Sequence, residues 1–162
     1  LLGGVQSGFI AGKKELVQRC AQHPLYRAMR LGKMSLLALE TVLQFYVEGR
    51  QDELPVWKAL QKSLDQCKLE AEMIMNKMGV GTVIPMQSFS GGGALPNQSI
   101  DSFGYFLPTP NCQKISDRLR MGTPSVLVRI QNNGLCIDPR TLLDGELEII
   151  LRVFTEVVSP LL

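Results

Sequence analysis

Between residues 56 and 78 apolar side chains recur at alternating steps of three and four: Trp57, Leu60, Leu64, Cys67, Ala71, Ile74 and Met78. That period lines them up along one side of an α-helix, with charged residues opposite. Such a stripe has to be buried, either along another helix or against a sheet. It spans little more than three heptads and lacks the charge pattern of a coiled-coil seam at e and g, so a sheet is the expected partner. The methionines at 73, 75 and 78 then serve as pliable core filler.

The sheet is expected downstream. Gly79 and Gly81 end the helix, and residues 81–90 and 100–107 carry strand patterns, with Ile100, Phe103 and Tyr105 apolar in the second. Gly91, Gly92 and Gly93 form the loop between them. Residues 108–111 turn, and residues 112–121 form a short amphipathic helix that stops at Gly122. Residues 125–130 and 135–137 flank Asn132-Asn133-Gly134, a hairpin signal. A last helix covers 144–158 and carries Leu147, Ile150, Leu151 and Phe154. The expected class is α+β: a small antiparallel sheet, helices on one face, and a long helix leading in.

Upstream, the Gly3-Gly4 turn precedes a short buried strand expected over 8–11. Residues 13–22 make a short helix with Leu16, Val17 and Cys20 on one face, and Pro24 stops it. Ser35 is the expected N-cap of a helix over 36–48, with Leu36, Leu39, Leu43 and Tyr46 on its buried face and Gly49 at its end. A polar connection follows over 50–55. Three parts are therefore expected: 1–34, 35–78 and 79–162.

The charge balance narrows the function classes. A net charge of +2 on 162 residues makes no case for nucleic-acid or membrane binding by bulk electrostatics. The four cysteines, Cys20, Cys67, Cys112 and Cys136, are scattered without a C-x-x-C pair, and there is one histidine, so a zinc site is not expected. Scattered thiols suit a reduced, cytoplasmic protein. No signal-peptide pattern and no apolar run near 20 residues is present. The chain opens at Leu1 inside a glycine-rich run, which suggests further sequence upstream.

The segment with chemical character is 23–34, H-P-L-Y-R-A-M-R-L-G-K-M. Steps of three would gather Arg27, Arg30 and Lys33 into one cationic face if the segment is helical. Such a face suits a phosphate, a carboxylate or another oxyanion. Spacing alone leaves two roles open, an anion site or a solvated face balancing Glu15, Glu40 or Glu48, the second slightly ahead. His23, ahead of Pro24, fits helix termination and contact with the negative end of the helix dipole better than catalysis. Arg129 and Arg140 fit strand-face and turn positions with local partners.

Several stretches together resemble one family. L-L-G-G-V-Q-S-G-F-I-A-G-K-K-E-L at the start, then H-P-L-Y-R-A-M-R-L-G-K-M and A-L-E, are similar to bacterial selenocysteine synthases, the pyridoxal-phosphate-dependent L-seryl-tRNA(Sec) selenium transferases. S-G-G-G-A-L-P over 90–96, L-R-M-G-T-P-S-V-L-V-R-I over 119–130 and L-C-I-D-P-R-T-L over 135–142 continue the likeness in order. Val5 stands where the family commonly has proline, and Gly32 where it commonly has aspartate.

The resemblance implies the C-terminal part of a fold-type I enzyme, the end of the cofactor domain plus the small domain. It implies that the cofactor lysine lies just ahead of the Leu-Leu-Gly-Gly, before Leu1, so the chain alone would be inactive. Arg27 and Arg30 would bind the anionic selenium donor or its leaving group, and Gly3 and Gly4 would lie beside the cofactor pocket. Seryl-tRNA(Sec) and selenophosphate would be the substrates, in a homo-oligomer built from dimers and off the membrane. Two alternatives remain at this point. One is a related pyridoxal phosphate enzyme acting on a small amino acid or an amino-sugar phosphate, and the other is a non-catalytic assembly domain.

Overall fold

A computed structural model of the chain describes residues 2–89 and 99–158. The chain divides into two compact units, Leu1–Trp57 and Lys58–Leu162.

The expected helix over 56–78 is two helices, α4 (Pro55–Gln61) and α5 (Leu64–Met78). Ser63 breaks it by taking an extended conformation (φ −68°, ψ 159°), and its Oγ accepts the Gln66 N–H at 3.1 Å. Ser63-Leu64-Asp65-Gln66 is a capping-box sequence that lies inside the apolar stripe. The stripe's period runs straight across it, which is why periodicity alone conceals the break.

Ending α4 leaves its last carbonyls without helical donors. Arg140, only 5% exposed, supplies them: Nη1 donates to the carbonyls of Ala59 (3.2 Å), Leu60 (3.4 Å) and Lys62 (2.6 Å), and Nη2 to that of Asp101 (2.8 Å). Lys62 reaches back, donating to the Pro139 carbonyl at 2.8 Å while pairing with Glu70 at 3.0 Å. Arg140 is thus a buried structural clamp.

The sheet is antiparallel, ordered β1-β2-β4-β3, with β1 at Thr82–Phe89, β2 at Ser99–Pro108, β3 at Arg129–Gln131 and β4 at Gly134–Ile137. Tyr105 opposes Ile137 and Leu107 opposes Leu135, so these four side chains share one face. Onto that face pack α5, α6 (Cys112–Met121) and α7 (Glu146–Val158), with Ala71, Ile74, Ile115, Leu119 and Phe154 all fully buried. The α5 part of the stripe, through Ala71 and Ile74, meets the sheet, whereas Leu64 is exposed and the Trp57 ring meets Tyr46; the α+β expectation holds.

Two boundaries moved for local reasons. β3 is shorter than the strand expected over 125–130. The Val126 N–H bonds the Leu119 carbonyl at 2.9 Å and Ser125 Oγ bonds that of Arg120 at 2.7 Å, so this backbone closes the end of α6 instead of joining the ladder. α7 starts at Glu146 because Gly145 holds a left-handed φ of 83°. Its buried face is Ile150, Val153, Phe154 and Val158, while the expected Leu147 and Leu151 are half-buried. The hairpin turn forms as expected, with Asn132 and Asn133 both left-handed (φ 49° and 55°). The Gly91–Gly93 loop lies outside the described residues.

The first unit departs further from expectation. No strand forms over 8–11. Phe9 and Ile10 are 65% and 68% exposed, and the described residues of this unit offer no neighbouring strand to pair with. α1 (Lys14–Gln22) is as expected, although Leu16 and Cys20 on its apolar face are exposed. α3 (Lys33–Val47) begins three residues before the expected start, with Gly32 and not Ser35 as N-cap. Gly49 follows its end in a left-handed conformation, as expected (φ 71°). The expected buried face of α3 is not buried: Leu36 and Leu43 are exposed, and Leu39 and Tyr46 are half-buried. Among this unit's described residues Leu54 alone is buried.

Tyr105 gives the second unit a pH signature. Its ring lies edge-on to Phe154 and its hydroxyl donates to the Val80 carbonyl at 2.8 Å. Burial pushes the hydroxyl up to about 12. The neutral form is favoured when folded, so its contribution is complete below the unfolded value of about 10 and is lost as pH rises toward 12. Denaturant titrations at pH 8–12 should show a loss of about 2–3 kcal/mol across that window that Tyr105→Phe largely removes.

Candidate functional site

The cationic segment is built from a helix junction. His23 ends α1 and begins α2 (Pro24–Ala28), with φ −72° and ψ 138°. Its Nδ1 accepts the Leu25 N–H at 3.2 Å, and Pro24 takes the first helical position, where no N–H is needed. His23 is therefore a helix start as well as a helix stop, and its role is capping.

α2 is too short to carry the expected face. Its five residues end at Ala28, and Met29 closes the turn onto the Leu25 carbonyl at 3.1 Å. Arg27 sits in the last turn of α2, Arg30 in the link that follows, and Lys33 at the start of α3. The three cations are thus neighbours in sequence on three local structures, not one helical row. The row breaks where Met29 leaves helical geometry (φ −94°, ψ 6°), and α3 restarts only after Gly32, its extended N-cap (φ −69°, ψ 158°).

Arg27 and Arg30 are both exposed, and among the described residues neither forms an ion pair. Among the described residues none of Glu15, Glu40 and Glu48 pairs with them. Glu48 instead pairs with Arg50 at 2.8 Å, and Arg50 also grips Glu53 at 2.7 Å.

Gly3 and Gly4 belong to a strap laid on α3. Gly3 is left-handed (φ 81°), and a Cβ there would come within 2.4 Å of Val56 Cγ1; a Cβ on Gly4 would lie 3.0 Å from Val42 Cγ2. Bare backbone on that side allows close packing. Both glycines are otherwise exposed, so the strap's other side is an open backbone surface. Tyr46 fixes the strap: its hydroxyl donates to the Leu2 carbonyl at 3.0 Å and accepts the Trp57 Nε1–H at 2.6 Å. Sequence reasoning placed Tyr46 and Trp57 only on apolar stripes. Their polar ends are the signal that would have singled them out, since such groups need partners once half-buried.

A second polar cluster lies in the other unit. Asp138 Oδ1 accepts from Ser102 Oγ (2.8 Å) and the Arg140 N–H (3.1 Å), and Oδ2 accepts from Ser88 Oγ. Its carboxylate oxygens are occupied by these donors, so it ties β1, β2 and the Pro139–Thr141 turn together. Among the described residues no three His, Cys, Asp or Glu side chains gather as metal ligands, and no helix is long and apolar enough to cross a membrane.

A family model described as L-seryl-tRNA selenium transferase matches residues 1–143. The chain belongs to the L-seryl-tRNA selenium transferase family. It is 36% identical to the L-seryl-tRNA(Sec) selenium transferase of Caldanaerobacter subterraneus over 98% of its length, and 32% identical to that of Aquifex aeolicus over 98%. It covers 36% and 37% of those relatives, a little over a third of their length. The solved structure of a D-glucosaminate-6-phosphate ammonia-lyase shares the fold at a TM-score of 0.59 and 22% identity, over 92% of this chain and 38% of that one. The family resemblance read from the motifs is borne out.

Gly32, where the family commonly has aspartate, makes a direct test. A Cβ there would meet nothing within 4 Å, and its φ suits any residue. Gly32→Asp is expected to cap α3 and raise stability by a few tenths of a kcal/mol, read as a small rise in thermal midpoint. Gly3→Ala should do the opposite, costing about 1–3 kcal/mol through positive φ and the Val56 collision, visible as faster proteolysis near the N-terminus.

Proposed function

We propose that this chain is the part of a pyridoxal-phosphate-dependent L-seryl-tRNA(Sec) selenium transferase that grips the anionic selenium donor. The observation that carries this reading is the pair Arg27 and Arg30, two exposed guanidinium groups with no ion-pair partner among the described residues. The pair stands in a segment that the family model covers. An exposed cation pair left without carboxylates is available to a ligand.

The residues present fit such a cofactor and donor in two respects. The open backbone of Gly3 and Gly4 can border a flat ring, and the guanidinium forks suit an oxyanion. When bound, pyridoxal phosphate supplies an electron sink for loss of the seryl hydroxyl and addition of selenium. The cofactor lysine belongs, on this reading, to the length of the relatives that this chain does not span. These 162 residues by themselves would then be inactive.

The chain's own residues do the positioning. Arg27 and Arg30 bind selenophosphate through paired N–H donors and hold the phosphate as it leaves, which a lysine ammonium does less well. Because Arg30 lies in a link and Arg27 on a short helix, their spacing can adjust as the donor arrives. Seryl-tRNA(Sec) is the second substrate. A cytoplasmic homo-oligomer built from dimers completes the reading. Residues 1–34 are proposed as the end of the cofactor domain, 35–78 as linking helices, and 79–162 as the small domain.

In the full-length enzyme, Arg27→Ala and Arg30→Ala should each lower kcat/KM for the selenium donor by about tenfold to hundredfold. The thermal midpoint should stay within about 1 °C, since neither side chain is packed. Arginine-to-lysine variants should recover only part of the loss. Wild-type turnover in both alanine variants would end this reading.

A further inference from the structure

The Leu2–Gly4 strap is held by a directional device, and the first unit offers little else to hold it. Leu54 is its one buried side chain among the described residues, and close packing on the half-buried Val42 and Val56 does not by itself give the strap a direction. A hydrogen-bond relay does. Trp57 Nε1–H donates to the Tyr46 hydroxyl at 2.6 Å, and that hydroxyl donates to the Leu2 carbonyl at 3.0 Å. The two rings meet edge-on, with centroids 6.4 Å apart and planes at 67°. The hydroxyl has one proton to give. Accepting from Trp57 commits that proton to Leu2, which sets both the distance and the direction of the strap. Gly3 and Gly4 then fit between Val56 and Val42 with no room for a side chain.

We infer that Tyr46 and Trp57 are positioning residues for the transfer reaction, holding the Leu2–Gly4 backbone at the distance the cofactor requires. The inference rests on the reading above that this strap borders the cofactor. It goes beyond it by assigning the position of the strap to two residues that touch neither cofactor nor substrate. A hydrogen bond suits this task better than packing, because it fails abruptly when geometry shifts. A misplacement of about 1 Å at a reacting centre costs about a hundredfold in rate.

The test uses the full-length holoenzyme with Tyr46→Phe, Trp57→Phe and the double variant. Tyr46→Phe keeps the ring and removes only the hydroxyl, while Trp57→Phe removes the indole N–H together with part of the ring, so Tyr46→Phe is the cleaner variant. The expected result is a fall in kcat of about tenfold or more in each single variant, with KM for seryl-tRNA(Sec) within about twofold. The visible circular dichroism of the bound pyridoxal phosphate should change in parallel. The double variant should be no worse than the poorer single one, since both substitutions break one relay.

A lowered thermal midpoint with kcat and the visible band unchanged would overturn the inference, leaving the relay as a plain structural pin. Losses that multiply in the double variant would overturn it too. The anion-clamp reading fails separately. If Arg27→Ala and Arg30→Ala turn over normally while Tyr46→Phe still alters the visible band, the clamp falls and the relay stands. If the arginine variants are impaired and Tyr46→Phe moves neither kcat nor the band, the relay falls alone.

Discussion

The burial of Ala71 and Ile74 against the sheet is the constraint from which the second unit follows. For α5 to lie on β2, the helical run has to turn at Ser63, and that turn strips α4 of partners for its last carbonyls. A buried end of this kind cannot be left unsatisfied. Arg140 reaches it from the turn after β4, and through Asp101 it fastens the same joint to β2. Lys62 and Asp138 close the knot from the opposite direction. One packing demand thus accounts for a helix break, a buried arginine and an aspartate saturated with donors.

Much of this was legible in the sequence. The stripe of Trp57 to Met78 announced a sheet, and Asn132-Asn133-Gly134 announced the hairpin. The break at Ser63 was not legible from periodicity, because the capping box falls in phase with the stripe. β3 was overextended because Ser125 and Val126 look like strand residues, yet their polar groups serve the end of α6. The role of Gly134 also differs from its usual one. The two asparagines take the left-handed positions, and the glycine is needed because a Cβ would strike the Phe106 ring at 2.5 Å.

The first unit was read less well, for a different physical reason. Its apolar periodicity is real, but periodicity reports what a segment could bury and not what is present to bury it. Leu36 and Leu43 keep helical spacing while standing exposed, and residues 8–11 have strand composition but, among the described residues of this unit, no strand to join. The cationic segment was legible in composition and misjudged in shape. Arg27 and Arg30 were expected on one helix face, and the end of α2 at Met29 falls between them. The motifs that revealed the family did so by order along the chain, which is insensitive to such local errors.

The way Arg140 is held has a consequence for the protein's behaviour in acid. A buried arginine is commonly balanced by a carboxylate, and protonating that carboxylate strands the charge. Here the guanidinium is received by peptide carbonyls of Ala59, Leu60, Lys62 and Asp101, which carry no titrating proton. The α4–α5 joint is therefore built to outlast the surface ion pairs as pH falls.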